Sequence, residues 1–126
     1  MNRRLLLDSR ILLWALTGSA QLSRKAREAI LEAGTVYVSS ASIWELGIKA
    51  EAGKLKTPED LEEQFRAARF TELPITVRHA AAAAKLPRFH ADPFDRMLVA
   101  QASLEALTLV TSDKRLADCG IEVLLS

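Results

Sequence analysis

The sequence has one cysteine, almost no net charge and no long apolar run. Its single cysteine, Cys119, excludes an internal disulfide framework and suits a reducing compartment. Seventeen Lys and Arg residues against sixteen Asp and Glu residues leave a formal charge of +1. A chain this close to neutrality does not coat nucleic acid through bulk electrostatics, so any nucleic-acid partner needs a local binding site.

The start of the chain resembles a signal peptide only briefly. Arg3 and Arg4 precede leucines, but Asp8 ends the apolar run after Leu7. We therefore expect neither a secretory signal nor a membrane span, which needs about 20 apolar residues. Because no Gly/Ser-rich linker, low-complexity stretch or repeat divides the sequence, we predict a single cytoplasmic domain over residues 1–126.

Short apolar strand patterns alternate with helical patterns along the chain. The predicted strands are 5–7, 36–38, 73–75, 108–111 and 123–125, and the predicted helices are 10–16, 24–32, 42–52, 58–68, 79–86 and 93–106. Thr57 is the predicted N-cap of the fourth helix, with Pro58 at its first position. This alternation predicts a three-layer α/β/α sandwich with a central, mainly parallel sheet, in which ligands bind beyond the carboxyl ends of the strands.

Four acidic residues are predicted to meet at that edge of the sheet. Asp8 and Asp113 each follow a predicted strand, whereas Glu45 and Asp95 lie near the start of helices that begin there. Four carboxylates in one pocket repel one another unless a cation neutralises them. Donors that are all oxygen select Mg²⁺ or Mn²⁺, and the natural reaction at such a site is phosphoryl chemistry with a metal-activated water.

The acidic residues of this region can also be explained by structural roles alone. Asp8 and Asp113 each precede a helical stretch and are therefore candidates for N-caps as well. Asp92, which is followed by proline, is assigned to helix capping alone. His79 and His90 lack the spacing of zinc ligands and are interpreted as surface or packing residues.

Glu45 has two possible environments in the predicted helix. It shares a helical stripe that is predicted to face the protein with Ala41, Trp44, Ile48 and Ala52. A carboxylate on that stripe needs a partner. The alternative is an exposed position in which Glu45 pairs with Lys49 one turn later.

Four sequence blocks contain these acids. They are LLLD at 5–8 with ILLW at 11–14, VS at 38–39 with WEL at 44–46, DPFDRMLVAQA at 92–102, and LTLVTSD at 107–113. In this order the blocks make the chain resemble PIN-domain ribonucleases, and among them the VapC-type toxins of type II toxin–antitoxin pairs. The resemblance extends over almost the whole length of the chain.

This resemblance implies a fold, an activity and partners. It implies an α/β/α fold with Asp8, Glu45, Asp95 and Asp113 as the metal-binding and catalytic residues for Mg²⁺ or Mn²⁺. The implied activity is that of an endoribonuclease that leaves a 5′-phosphate and a 3′-hydroxyl. The implied partners are an RNA substrate, a small cognate antitoxin and a second copy of the chain in a homodimer. The alternative is a catalytically inactive PIN-like module that only binds a partner.

Two positions depart from the family's pattern. Ser9 stands where the family usually has Thr, and Arg10 stands where close relatives often have His. Three roles are open for Arg10: it binds a substrate phosphate, accepts an acidic group of an antitoxin, or holds Asp8 at the expense of metal affinity. We expect substrate binding at the pocket rim, because a guanidinium forks well onto phosphate.

Basic residues near the acids are candidates for RNA contacts. With the four predicted ligands set aside, 12 acidic side chains remain against 17 basic ones, so a near-neutral total conceals a positive site edge once cations bind. The candidates are Arg10, Arg96, Lys114, Lys49 and Arg115. Solvated surface charge is the alternative for each, and Arg96, next to Asp95, is as well placed to orient carboxylates.

Apolar side chains exceed what one small core obviously needs. They are Ile11, Leu12, Trp14 and Leu16 in the first predicted helix and Trp44 in the third. We predict that some of this surface forms an interface. The alternative places both Trp residues in the core.

Two other enzyme classes with acids at strand ends are disfavoured. A response-regulator receiver needs an acidic pair after its first strand and an Asp after a middle strand, but Ser39 and Ser40 stand after the second strand here. A haloacid-dehalogenase-type phosphatase needs Asp-x-Asp after the first strand, and Arg10 occupies the second acidic position.

Overall fold

A parallel sheet forms the centre of the molecule. The computed structural model describes residues 3–87 and 92–126. The strands in these ranges are β1 (Arg4–Leu7), β2 (Thr35–Ser39), β3 (Thr71–Leu73), β4 (Thr108–Thr111) and β5 (Val123–Leu125). They form one sheet in the order β3-β2-β1-β4-β5, and every neighbouring pair is parallel.

Helices occupy both faces of this sheet. In the described ranges they are α1 (Ser9–Thr17), α2 (Arg24–Glu32), α3 (Ser40–Glu51), α4 (Leu61–Ala67), α5 (Val77–Ala84) and α6 (Pro93–Glu105), with a 3₁₀ helix at Lys114–Leu116. Leu5 of β1 packs in one core cluster with Ile11 of α1, whereas Leu6 packs in a second cluster with Leu98 of α6. Successive side chains of a strand point to opposite faces, so the α/β/α sandwich is confirmed.

The core accounts for part of the apolar surplus. Ile11 and Leu12 are fully buried, and Trp14 and Leu16 are partly buried against the same cluster. Ile11 and Leu12 therefore belong to the core, because α1 lies directly on the sheet. Trp44 is different, since 65% of its surface is exposed.

Some element starts differ from the sequence-based prediction for identifiable reasons. The cap of α4 is Asp60, whose carboxylate accepts from the Glu63 amide at 3.2 Å, so Thr57 is not the N-cap. Strand β3 ends at Leu73 because Pro74 cannot donate a hydrogen bond to a ladder. Helix α5 begins at Val77, where Thr76 forms a capping box.

Within the described part of the chain, no helix is both long enough and apolar enough to cross a membrane.

The strand order determines where a site forms. The chain runs outward from central β1 through β2 to β3, and then returns to the other side of β1 to form β4 and β5. Ligands of such sheets bind at the carboxyl ends of the strands, where this reversal opens a crevice. Here that crevice lies beyond Leu7 of β1 and Thr111 of β4.

Candidate active site

The four predicted acids line one cavity of about 500 Å³ at this crevice. The lining residues are Asp8, Ser9, Arg10, Glu45, Lys49, Asp92, Asp95, Ser112, Asp113, Lys114 and Arg115. They come from the segments after β1 and β4, from the start of α1, from the middle and last turn of α3, and from the N-cap and first turn of α6. The fold thus brings together residues that are more than 100 positions apart in the sequence.

Asp8 lies buried at the end of the central strand. Its Oδ1 accepts from the Ile11 amide at 2.8 Å, which caps α1, and its Oδ2 accepts from the Thr111 hydroxyl at 2.5 Å. Burial raises the pKa of Asp8, and the charge of Glu45 adds to this, while the two hydrogen bonds and the charge of Arg10 oppose it. The structure therefore holds a carboxyl group where its ionised form is poorly solvated.

Glu45 is both buried and paired. Its Oε1 accepts from the Ser9 hydroxyl at 2.5 Å, and its Oε2 lies 2.9 Å from Lys49 Nζ. The predicted pair with Lys49 exists, but Glu45 is 6% exposed. The two environments proposed for Glu45 are therefore combined in one position.

The predicted inward-facing stripe of α3 is wrong in part. Trp44 and Ile48 are exposed, and the buried residues of the helix are Ala41, Ser42, Glu45 and Leu46. The buried face is rotated by about one residue from the predicted stripe. The apolar residues of α3 are spread around the helix, so its apolar pattern defines no single face.

The three remaining acids line the cavity, and two of them also cap helices. Asp92 caps α6 by accepting from the Phe94 amide at 2.8 Å, as predicted, and Asp95 lies in the first turn of that helix. Asp113 caps the 3₁₀ helix through the Arg115 amide at 2.9 Å and forms a two-pronged ion pair with the Arg115 guanidinium. Capping and cavity lining are therefore carried out by the same carboxylates.

The donor types fit a hard divalent cation, since the cavity offers carboxylate and hydroxyl oxygens. However, among residues 3–87 and 92–126 no three Asp, Glu, His or Cys side chains lie close enough together to hold one ion. All four carboxylate oxygens of Asp8 and Glu45 accept hydrogen bonds from the chain's own donors. An ion at these oxygens would share them with those donors or displace some of the donors.

Arg10 and Lys114 lie at the rim of the cavity. Both are exposed and line the cavity. Within the part of the chain that the structure describes, Arg10 forms no ion pair with Asp8, although its charge lowers the pKa of that carboxyl group. This geometry favours a rim role over a lock on Asp8.

Arg96 points away from the acids. Its guanidinium donates to the carbonyl oxygens of Ala83, Leu86 and Pro87 at 2.8–3.1 Å, at and just beyond the C-terminal end of α5. A cation at a helix C-terminus satisfies orphan carbonyls and interacts favourably with the helix dipole. The predicted RNA-binding role of Arg96 is not supported by this geometry, because the group is already engaged in joining α5 to α6.

Thr111 is a site residue that the sequence analysis missed. Its fully buried hydroxyl donates to Asp8 and accepts from the Asp113 amide at 3.1 Å, so it links two acids. A hydroxyl residue at the carboxyl end of a strand, two positions before Asp113, was the available signal. His79 is a packing residue, with Nε2 2.9 Å from Glu105 Oε2, whereas His90 lies outside the described residues.

Comparison with known proteins identifies the family. The chain matches the family model of the PIN domain over residues 5–121. It is 34% identical over 119 residues to Ribonuclease VapC22 of Mycobacterium tuberculosis (strain ATCC 25618 / H37Rv), with 88% of each chain covered. The chain belongs to the PIN domain family, which confirms the resemblance found in its sequence blocks.

Solved structures share the fold. VapBC2 from Rickettsia felis, bound to a DNA fragment from their promoter, matches with a TM-score of 0.71 at 15% identity over 97% of this chain and 98% of that chain. DNA-bound VapBC from Salmonella typhimurium matches with a TM-score of 0.69 at 21% identity over 98% of both chains. At such low identity these matches establish a common architecture.

We predict that Asp8→Asn raises the melting temperature at pH 7 in metal-free buffer. Because the folded-state pKa of Asp8 is raised, the free energy of unfolding falls as pH rises from the unfolded pKa through the folded one, and the loss persists above it. Asparagine still offers an oxygen to cap α1. The gain should shrink below about pH 4, where the carboxyl is protonated in both states.

Asp60→Asn is the matched control, because Asp60 is an exposed N-cap. Its effect should stay within about 0.5 kcal/mol at both pH values. An Asp8→Asn variant that melts below the wild type at pH 7 would contradict the conclusion that burial destabilises the ionised Asp8 carboxylate.

Proposed function

We propose that the protein is a metal-dependent endoribonuclease that acts as the toxin of a toxin–antitoxin pair. The observation that carries this proposal is the convergence of Asp8, Glu45, Asp95 and Asp113 on one cavity at the strand-order reversal. The name of the 34% identical relative, Ribonuclease VapC22, supports RNA as the substrate class.

The four acids would hold Mg²⁺ or Mn²⁺. When bound, such an ion lowers the pKa of a water ligand and stabilises charge on a scissile phosphate. Asp8 and Glu45 supply fixed charge from the cavity interior, and Ser9 and Thr111 orient them by hydrogen bonds. The attacking group in this proposal is water.

Substrate binding is assigned to the basic rim. Arg10 and Lys114 are exposed at the mouth of the cavity, and Lys49 and Arg115 line it as well. Cations at these positions would contact phosphates on either side of the scissile bond without reading base sequence. Overall neutrality is therefore compatible with a local RNA-binding edge.

The proposed protein partners are a cognate antitoxin and a second copy of the chain. The similar VapBC complexes from Rickettsia felis and Salmonella typhimurium support an antitoxin partner. We propose that this antitoxin lies across the groove near the acids. For the homodimer the support is an exposed apolar patch on α3 and α6. Trp44 is 65% exposed, contacts Phe94 at 5.5 Å between ring centroids, and lies one turn from half-exposed Ile48. We also propose that the protein acts in the cytoplasm.

We predict that Asp8→Asn and Asp95→Asn abolish RNA cleavage while the variants stay folded. Each change removes a negative charge proposed to hold the ion, and EDTA should abolish wild-type cleavage in the same way. The measurement is hydrolysis of labelled RNA with Mg²⁺ or Mn²⁺, accompanied by circular dichroism.

Asp118→Asn is the control, because Asp118 is exposed and is not among the cavity-lining residues. Cleavage that persists in EDTA would refute the metal-dependent mechanism. A wild-type chain that binds Mn²⁺ and RNA without hydrolysis would establish the inactive-module alternative instead.

Arg10→Ala is predicted to raise the KM for RNA and to lower the slope of log affinity against log salt by about one. The affinity for Mn²⁺ should remain unchanged, because Arg10 forms no ion pair with the acids in the described structure. Arg24→Ala serves as the control, since Arg24 is a solvent-exposed residue of α2. Tighter Mn²⁺ binding with unimpaired cleavage would make Arg10 a competitor of the ion.

Sedimentation velocity at micromolar concentration should show a dimer that Trp44→Glu converts to a monomer. A charge in the centre of the apolar patch would be buried without a partner in the assembled state. Val77→Glu provides the control, because Val77 is 88% exposed but lies on α5. A wild-type chain that sediments only as a monomer, with and without antitoxin, would reject the homodimer.

A further inference from the structure

We propose that Arg115 occupies Asp113 as a built-in counter-cation that a divalent ion must displace, and that the displaced guanidinium then binds a substrate phosphate. The inference rests on the proposed function, since it concerns how the same site takes up its ion and its RNA. It assigns Arg115 a regulatory and substrate-binding role that the four acids alone do not explain.

Arg115 and Asp113 form a two-pronged ion pair that a backbone hydrogen bond reinforces. Arg115 Nε lies 3.0 Å from Asp113 Oδ1, and a terminal guanidinium nitrogen lies 2.8 Å from Oδ2. The Arg115 amide donates to Oδ1 as well, at 2.9 Å. Both oxygens of this carboxylate therefore already interact with a cationic residue, and an ion that uses them must replace the guanidinium.

The rest of the cavity's charge also acts on Arg115. Its pKa is raised by the hydrogen bond and charge of Asp113, and further by the charges of Asp95 and Asp92. The guanidinium thus neutralises part of a field made by three acids. A divalent ion held by the same acids would repel the guanidinium, so the two cations exclude each other at Asp113.

Arg115 is able to leave at little cost. Its side chain is 71% exposed, against 24% for Asp113, and its side-chain hydrogen bonds to described residues all go to Asp113. Exposed ion pairs contribute little to stability. Because the fork of a guanidinium fits a phosphate as well as a carboxylate, the released group has a suitable second ligand at the cavity mouth.

Lys49 is a poorer candidate for this exchange. Its partner Glu45 is 6% exposed, so removing Lys49 would leave a buried carboxylate with fewer donors. The pair of Arg66 and Glu62 on α4 offers a useful comparison instead. It is exposed on both sides, at 63% and 69%, and neither residue lines the cavity.

The test is calorimetric titration of the full-length wild type, Arg115→Met and Arg66→Met with Mn²⁺ in the absence of RNA. Removing the competitor should tighten Mn²⁺ binding by about two- to fivefold in Arg115→Met, the range expected from exposed ion pairs. Arg66→Met should bind like the wild type. Arg115→Lys, which keeps the charge but loses the fork, should fall between wild type and Arg115→Met.

The proposed binding of the released guanidinium to phosphate is tested with a fluorescent single-stranded RNA. The titration is done first in EDTA and then with Ca²⁺, which is used to load the site without hydrolysis. Arg115→Met should weaken RNA binding about three- to tenfold with Ca²⁺ and less in EDTA, where wild-type Arg115 remains on Asp113. Equal weakening in both buffers, or no weakening, would overturn the exchange.

The outcomes separate this inference from the proposed function. A wild type that binds no Mn²⁺ would refute the metal dependence itself. Normal wild-type binding with unchanged affinity in Arg115→Met would reduce Arg115 to a surface ion pair. Weaker Mn²⁺ binding in Arg115→Met would mean that Arg115 positions Asp113 for the ion, and would overturn the competition.

Discussion

Concentration of negative charge at the carboxyl edge of the sheet is the constraint on which the rest of this structure depends. Asp8 follows the central strand and Glu45 lies on the helix after its neighbour, so both are buried. Buried carboxylates are tolerated only when donors or cations compensate for lost water. Ser9, Thr111 and Lys49 supply that compensation, because each of them donates a hydrogen bond to Asp8 or Glu45.

Structural and functional explanations of an acid at a strand end are not exclusive. A carboxylate has two oxygens and about four lone-pair sites, so a capping bond leaves acceptor capacity for other groups. Asp8 uses one oxygen to cap α1 and the other to bind Thr111. The turn that a helix cap requires is also the turn that brings the carboxylate to the crevice, which explains why a capping preference and a site pattern coincide in this fold.

Most of the fold was predictable because strand and helix patterns are local. The termini of β4, β5 and α2 agree with their predictions, and the acids at strand ends meet because parallel strands share a carboxyl edge. The start of α4 was not predictable from Thr57 and Pro58, since Asp60 three residues later is an equally good cap. Which face of α3 is buried depends on contacts with distant elements, and no local period determines them.

The partners of the basic residues were the least predictable part of the site. Asp95 and Arg96 are adjacent in sequence, yet successive helical residues are rotated by about 100°. Asp95 lines the cavity, whereas Arg96 reaches the carbonyl groups at the C-terminal end of α5. Those carbonyls carry the negative end of a helix dipole, so they attract a guanidinium without any acidic side chain.

The position of Arg96 affects the electrostatics of the cavity. Arg96 stabilises the junction of α5 and α6, so among the described residues the positive charge that lines the cavity comes from Arg10, Lys49, Lys114 and Arg115. Two of these four, Lys49 and Arg115, are paired with the acids, and the two others stand at the rim. Any cation that neutralises the acids therefore also changes how much positive charge the rim presents to a polyanion. Ion uptake and substrate binding at such an edge are linked by charge alone, before any change of backbone conformation.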